Sequence, residues 1–421
     1  MPADARPARS FDRSPWRLDP AISFLNHGSF GACPDPVLEA QRAWRNRLEA
    51  EPVRFLAREL DGHMDEVRRE LGTFLGANPD DLALVPNATT GVSTILASLR
   101  FSPGDELIAC DHEYNATLNA LRAAAARDGA RVVVVPVPLP LRDPAQVVDA
   151  YLSAVTPRTR LALVSHITSP TAVVFPMAAL VRELDRRGVD TLVDAAHAPG
   201  MIPVDLDALG AAYWTGNAHK WLCAPKGAAV LHVRADRQRA ISPLVVSHGA
   251  NDPRTDRSRF RLAFDWTGTG DPTPYLSIPA AIRFVGGLHE DGWAGMMAAN
   301  AAMARAGRDA VCTALGVAPP VPDAMLGSMA VIPLPGLTPT EAAAERLQAA
   351  LFNEDRIEVP IVVFPVRGAL ADGQAASGVM VRISAQRYNR PEEYAHLAER
   401  LAARLLKPSG PRGLLGRLRR G

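Results

Sequence analysis

Between about residues 80 and 235 the chain alternates short apolar runs with longer stretches of helical spacing. The runs fall at 82–85, 107–109, 132–135, 161–164, 191–193 and 228–233. Between most of them, 89–99, 117–127, 145–154 and 177–187 carry apolar residues at helical intervals. Strands that are apolar throughout are buried on both faces, and strands separated by helices pair mostly in parallel. The pattern predicts an α/β domain, a mostly parallel sheet covered by helices on both faces. Ligands of such sheets sit beyond the carboxyl ends of the strands. Asn87, Asp111, Ser165, Asp194 and Gly216 all fall just past a run, so the pattern sets them on one rim.

The flanks read differently. Residues 1–20 are rich in Pro and Arg and are expected to form an extended arm. A short apolar segment, 22–26, enters the glycine-flanked turn His27-Gly-Ser-Phe-Gly31. Helical spacing follows over 37–60 and 64–75, ending at Gly76. Residues 236–275 are loop-like and contain Gly268-Thr-Gly270, and 275–286 is helical. Beyond 291 come strand-like runs at 328–333, 357–364 and 380–384 and helices at 339–353 and 391–406. That is the mix of a smaller α+β domain. The expected division is therefore an arm (1–20), a large domain (21–290) whose segment 21–60 touches the small domain, a small C-terminal domain (291–407), and a disordered basic tail (408–421).

Composition narrows the classes. A net charge of +1 over 421 residues gives no electrostatic reason to expect nucleic acid or an anionic membrane as partner. No uncharged apolar run reaches the length of a membrane span, and the N-terminus lacks the apolar core of a secretory signal. The four cysteines, Cys33, Cys110, Cys223 and Cys312, lie far apart without metal-ligand spacing. They suit a reducing, cytoplasmic setting and point to no metal. The lysines are unusual: Lys and Arg total 46, yet only Lys220, Lys226 and Lys407 are lysine. Lysine, unlike arginine, can lose its proton and form a Schiff base.

Candidate chemistry gathers after the strand runs. Asp194 closes a run and serves either as a helix cap or as a fixed charge opposite a protonated ring nitrogen. His197 follows three residues later. Lys220 sits before Trp221 and Leu222, neighbours that favour burial and a lowered amine pKa. Asn87-Ala-Thr-Thr-Gly91 opens a helix and offers an anion site, or only a cap. Tyr114 is placed to stack on an aromatic ligand or simply to pack. Arg382, in an alternating strand, suits a bidentate carboxylate. Taken together, these residues describe one ligand: a phosphate, an aromatic ring with a nitrogen, an aldehyde and a substrate carboxylate. That is pyridoxal 5′-phosphate with an amino acid.

The segments Val193-Asp-Ala-Ala-His197, Asn217-Ala-His-Lys220 and Arg382-Ile-Ser, with Tyr388-Asn389, resemble the class V aminotransferase family of fold-type I pyridoxal-phosphate enzymes. Leu25-Asn-His-Gly-Ser-Phe-Gly31 and Arg382-Ile-Ser-Ala-Gln386 are most similar to its isopenicillin N epimerase-like branch. The resemblance spans roughly residues 22–400 and implies a sheet of the seven-stranded type. It implies that Lys220 forms the aldimine and moves protons at the substrate α-carbon, that Asp194 pairs with the pyridinium nitrogen, and that His197 lies near the phenolic oxygen. Tyr114 takes the stacking position, where many relatives carry His. Thr89, Thr90, Asn217 and His219 take the phosphate. Thr269 lies in a loop that reaches the partner subunit's site, implying a homodimer with shared active sites. Arg382 holds the substrate carboxylate, and Asn26 and His27 line its pocket.

The implied enzyme is an epimerase or racemase acting through Lys220. The alternatives are a C–S lyase, eliminating the β-substituent of a cysteine-derived substrate, and an aminotransferase. Epimerisation requires a second acid that no motif identifies. A cysteine desulfurase is disfavoured, because residues 366–378 contain no cysteine. A non-enzymatic protein binding an amino-acid-like effector has no use for Lys220 and Asp194 together. A nucleotide enzyme lacks a phosphate loop of the usual kind.

Overall fold

The computed structural model describes residues 15–370 and 374–406. Strand β1 (Ser23–Phe24) precedes the seven strands of the large sheet: β2 (Leu82–Val85), β3 (Glu106–Cys110), β4 (Arg131–Val135), β5 (Thr159–Ser165), β6 (Asp190–Asp194), β7 (Tyr213–Asn217) and β8 (Ala229–Val233). Their spatial order is β2-β8-β7-β6-β5-β3-β4. β8 runs antiparallel to both its neighbours, and the remaining pairs are parallel. β7 is the strand with the weakest sequence signal, since Thr215, Gly216 and Asn217 interrupt its apolar character.

Alternate residues of these strands enter two separate cores. Leu82, Leu84, Ile108, Val164, Val193 and Trp214 belong to one, and Ala83, Val85, Leu107, Leu163, Leu192 and Tyr213 to the other. The two-residue period of a strand therefore gives each face its own helical cover, as the continuous apolar runs require. On one face, the helix Ala88–Ser98 lies so close at Gly91 that a Cβ there would collide with the Thr215 side chain.

The smaller C-terminal domain carries a three-stranded antiparallel sheet, β11 (Ile361–Phe364), β12 (Gly378–Ser384) and β9 (Met329–Pro333), against the helices Gly292–Leu315 and Pro391–Leu405. The run 357–364 is two strands. β10 (Ile357–Glu358) leaves this sheet and pairs in parallel with β1, so the N-terminal segment docks on the small domain. Pro360 stands between β10 and β11 and supplies no N–H to a ladder. Similarly, 37–75 divides at Glu51, because Pro52 disfavours helical backbone in the residue before it. Of the expected arm, residues 15–20 are described, and Trp16 is buried edge-on against Tyr388, with ring centroids 5.3 Å apart. Residues 408–421 lie outside the described residues. No helix among the described residues is long and apolar enough to cross a membrane.

Within the stretch 236–275, expected to be loop-like, residues Arg259–Asp265 form a helix capped by Ser258, and a buried ion network ties it to the large domain. Asp265 accepts from Arg68, from Arg257 at 3.0 Å and from Arg261 at 3.3 Å. Arg68 also donates to the carbonyl of Leu82, at the start of β2, at 3.0 Å. Removing one partner of a buried network leaves the others desolvated and uncompensated. Asp265→Ala is expected to lose about 3–5 kcal/mol of stability, read as a lower denaturant midpoint with an unchanged slope.

Candidate active site

The carboxyl ends of the parallel strands, with the N-terminal turn and β12, enclose a cavity of about 390 Å³. Asn87, Thr89, Tyr114, Ser165, Asp194, His197, Asn217, His219, Lys220 and Arg382 all line it. Eight of the twelve candidate residues named from sequence thus meet around one space. Of the expected rim, Asp111 and Gly216 are not among its lining residues.

Lys220 follows β7 in a tight turn, with its backbone fixed from the opposite side. A Cβ at Gly31 would meet the Lys220 Cα at 2.9 Å, and the backbone there has φ +71°, so this close approach requires glycine. The Lys220 amine stands 3.2 Å from His197 Nε2. Burial lowers that amine to a pKa of about 7, with the Arg382 charge adding to the effect and Asp194 opposing it. Burial also holds His197 well below its ordinary range, so its ring is neutral. Asp194, at the end of β6, is buried and accepts from the Ala196 amide at 3.0 Å. Burial pushes its carboxyl above the usual range, against that hydrogen bond and the Lys220 charge.

On the far wall, Arg382 is buried with no carboxylate against it among the described residues. Its Nη1 donates to the Ser169 carbonyl at 2.6 Å and its Nη2 to Ser29 Oγ at 2.9 Å, while Nε has no partner. Burial lowers its pKa to about 10. A desolvated guanidinium with an open donor is built for an incoming anion.

The N-terminus of the helix Ala88–Ser98 forms another wall. Asn87 caps it, accepting from the Thr90 amide at 2.8 Å and the Thr90 hydroxyl at 3.0 Å. Asn217 Oδ1 accepts from the Ala88 amide at 2.8 Å. Thr89 faces the cavity, whereas Thr90 is turned back onto the cap and is not among the lining residues. The Ala88 and Thr90 amides are thus taken by side chains, and the helix dipole together with Thr89 favours an anion at this end.

Three further candidates lie elsewhere. Asn26 is bonded to Glu358 at 2.9 Å and to Ser29, and His27 bridges the Tyr388 hydroxyl at 2.8 Å and the Lys220 carbonyl at 3.1 Å. Both stand behind Gly28, Ser29 and Phe30, which reach the cavity in their place. Thr269 is exposed on its loop, outside this cavity. Sequence reasoning missed Ser29 and Ser169, which hold Arg382. Their neighbours His27 and Ser165 were the available signal, since each lies within a few residues of a named candidate.

The residues present fit a phosphorylated pyridine aldehyde: an amine that is neutral near pH 7, a buried carboxyl, a helix N-terminus and an unpaired guanidinium share one cavity. Known proteins agree on the family. The profile described as Aminotransferase class-V matches residues 31–286. Isopenicillin N epimerase of Amycolatopsis lactamdurans is 35% identical over 396 residues, covering 91% of this chain and 95% of that protein. A probable chloroplastic L-cysteine desulfhydrase of Arabidopsis thaliana is 31% identical over 403 residues, covering 90% of this chain and 82% of that protein. Among solved structures, the cystine C–S lyase C-DES in complex with its product cysteine persulfide superposes with a TM-score of 0.72 at 23% identity, over 90% of this chain and 97% of that one. With the family profile matching well over half its length, the chain belongs to the aminotransferase class-V family.

Proposed function

We propose that this chain is a pyridoxal 5′-phosphate enzyme that moves a proton at the α-carbon of an amino acid, as an epimerase or racemase. The observation that carries the reading is the Lys220 amine, neutral near pH 7, facing His197 in the cavity that also holds Asp194 and the unpaired Arg382. Bound pyridoxal phosphate supplies an electron sink that makes the α-proton removable. Lys220 carries the cofactor and takes that proton. Asp194 would offer negative charge to the cofactor's ring nitrogen, and His197 and Tyr114, both lining the cavity, would hold the ring between them. Thr89, Asn217 and His219, with the helix N-terminus, receive the phosphate. Arg382 holds the α-carboxylate, so the α-hydrogen is presented in one orientation. Asn26 and His27 act from behind Ser29.

The epimerase reading leans on the 35% identity to isopenicillin N epimerase. A C–S lyase is the second reading, supported by the 31% identity to a probable L-cysteine desulfhydrase. Proton removal is common to both. Incubating the holoenzyme with L- and D-amino acids in deuterated water separates them. Inversion with α-deuterium supports the epimerase, and pyruvate, ammonia and sulfide support the lyase. Keto acid formed with an aminated cofactor indicates an aminotransferase. No α-exchange with any amino acid contradicts the reading as a whole.

We also propose a homodimer with shared sites. The exposed Leu244, Val245 and Val246 offer an apolar contact, and the exposed Thr269 loop is free to reach a partner's phosphate.

The lowered Lys220 pKa has a direction. Below about pH 7 the amine is protonated and cannot attack the cofactor aldehyde; above it, the amine is neutral. The rate of reconstitution of apoenzyme with pyridoxal phosphate is expected to rise through pH 7 and level off above it, measured by stopped-flow absorbance. A rate still climbing tenfold per unit at about pH 9 would mean an ordinary lysine.

A further inference from the structure

Behind the cavity wall lies a second carboxyl that the chemistry above does not use. Glu113, in the turn between β3 and the helix Asn115–Asp128, is fully buried. Its Oε1 accepts from the Ser165 amide at 2.8 Å and from the Tyr151 hydroxyl at 3.2 Å. Its Oε2 accepts from the Ser165 hydroxyl at 2.5 Å, and the Cys110 thiol lies 3.6 Å from Oε1. Ser165 ends β5, lines the cavity and pairs across the ladder with Asp194. The next amide, His166, donates to the Asp194 carbonyl at 2.8 Å. Ser165 thus bonds the Glu113 carboxyl through both its amide and its hydroxyl while its backbone lies beside Asp194 in the sheet, so the two buried carboxyl residues flank one strand position. Among the described residues neither has a cation within ion-pair distance. A buried carboxyl without a cation is expensive, and glutamine or an apolar residue would fill the same space at lower cost. Packing alone does not account for an acid here.

We propose that Glu113 is a positioning residue for the Asp194 side of the site: it fixes Ser165 on the cavity wall and, when ionised, places a second negative charge behind Asp194. The inference rests on the cavity being a pyridoxal phosphate site. The groups facing Glu113 are Cys110 from β3, Tyr151 from the helix Ala145–Ser153, Ser165 from β5 and Asp194 from β6. Burial pushes the thiol and the phenol up, so both are neutral at pH 7. His112, in the same turn, is held neutral by burial, and Asp111 is raised to about 6. Burial raises Glu113 itself to about 7, with the Ser165 bonds opposing and Asp194 adding to the rise. Its charge thus switches on across neutral pH. A like charge behind Asp194 increases the attraction of that carboxylate for a proton or a protonated nitrogen. The protonated, electron-accepting ring is favoured above about pH 7 and less so below.

Glu113→Gln keeps the size and copies the protonated side chain, so the variant is compared with wild type as holoenzyme at about pH 6 and about pH 8. At the lower pH, kcat is expected to agree within about twofold. At the higher pH, wild type should exceed the variant by about fivefold with KM unchanged. The absorbance of the bound cofactor should titrate near neutrality in wild type and not in the variant. A kcat ratio that is the same at both pH values, or identical absorbance titrations, overturns the proposal. Should Glu113→Gln fail to fold, Tyr151→Phe removes one donor to the carboxylate, and the absorbance midpoint should move upward; an unmoved midpoint overturns the proposal. Wild type lacking cofactor absorbance at both pH values defeats the cofactor reading as well. A bound cofactor with pH-independent ratios defeats only the role of Glu113.

Discussion

Lys220→Ala is expected to lose about a thousandfold or more in kcat and to bind pyridoxal phosphate without fixing it covalently. Two roles disappear together. The amine carries the cofactor and then moves the α-proton, so no second group in the cavity replaces it at both tasks. His197 is the nearest base, 3.2 Å from the amine, but burial keeps its pKa so low that it is a weak proton acceptor. An added small primary amine should restore part of the activity, because the cavity left by the side chain opens onto the reacting carbon. The fold should survive. Lys220 is part-buried without an ion pair among the described residues, and the backbone at this turn is held by Gly31 and by the His27 contact to the Lys220 carbonyl. Equal unfolding midpoints with unequal kcat would separate chemistry from stability. A variant retaining more than a tenth of wild-type kcat contradicts the assignment.

Arg382→Met should separate binding from stability in the opposite sense. In the free enzyme Arg382 is a buried cation held by Ser169 and Ser29, with Nε unpaired and burial lowering its pKa. That arrangement is poor for stability and good for receiving a carboxylate. Removing the guanidinium is expected to reduce kcat/KM by roughly a hundredfold, about 3 kcal/mol, chiefly through KM. The unfolding midpoint of the free protein should not fall, since an apolar side chain of similar length relieves the uncompensated charge. Urea denaturation beside steady-state kinetics checks both halves. A large loss of stability with unchanged KM would make Arg382 a structural residue.

The parts legible in the sequence were those that local pattern determines. Asp194, Asn217 and Lys220 each lie at or just after the end of a strand, and the parallel order of β6 and β7 brings their ends together. Six of the seven strands of the large sheet followed from apolar runs, whereas β7, interrupted by Thr215, Gly216 and Asn217, did not. What escaped depends on contacts between distant segments. Ser169 and Arg382 are 213 positions apart, and Ser29 and Arg382 are 353 apart. A serine in a loop carries no periodicity to reveal such a partner. Glu113 was hidden for the same reason: its role comes from Ser165, 52 positions away on a neighbouring strand. Thr90 and Thr89 are adjacent and chemically alike, and only the direction of the first helical turn decides which faces the cavity. In the N-terminal turn, His27 and Asn26 were named as pocket residues. The chain instead brings Gly28 and Ser29 to the cavity wall, leaves Phe30 exposed at its mouth and engages His27 with Tyr388, a contact set by the docking of β1 on β10.

The central claim is that Lys220 carries the cofactor. Its most direct test is sodium borohydride reduction of the wild-type protein with pyridoxal phosphate, followed by digestion and mass spectrometry of the peptides. The account predicts the reduced cofactor on the peptide containing Lys220 and no other. Lys226 donates to the Gly31 carbonyl at 2.7 Å, outside the cavity lining, and should remain unmodified. Label on Lys226 in place of Lys220, or no covalent label with a bound cofactor present, would contradict it.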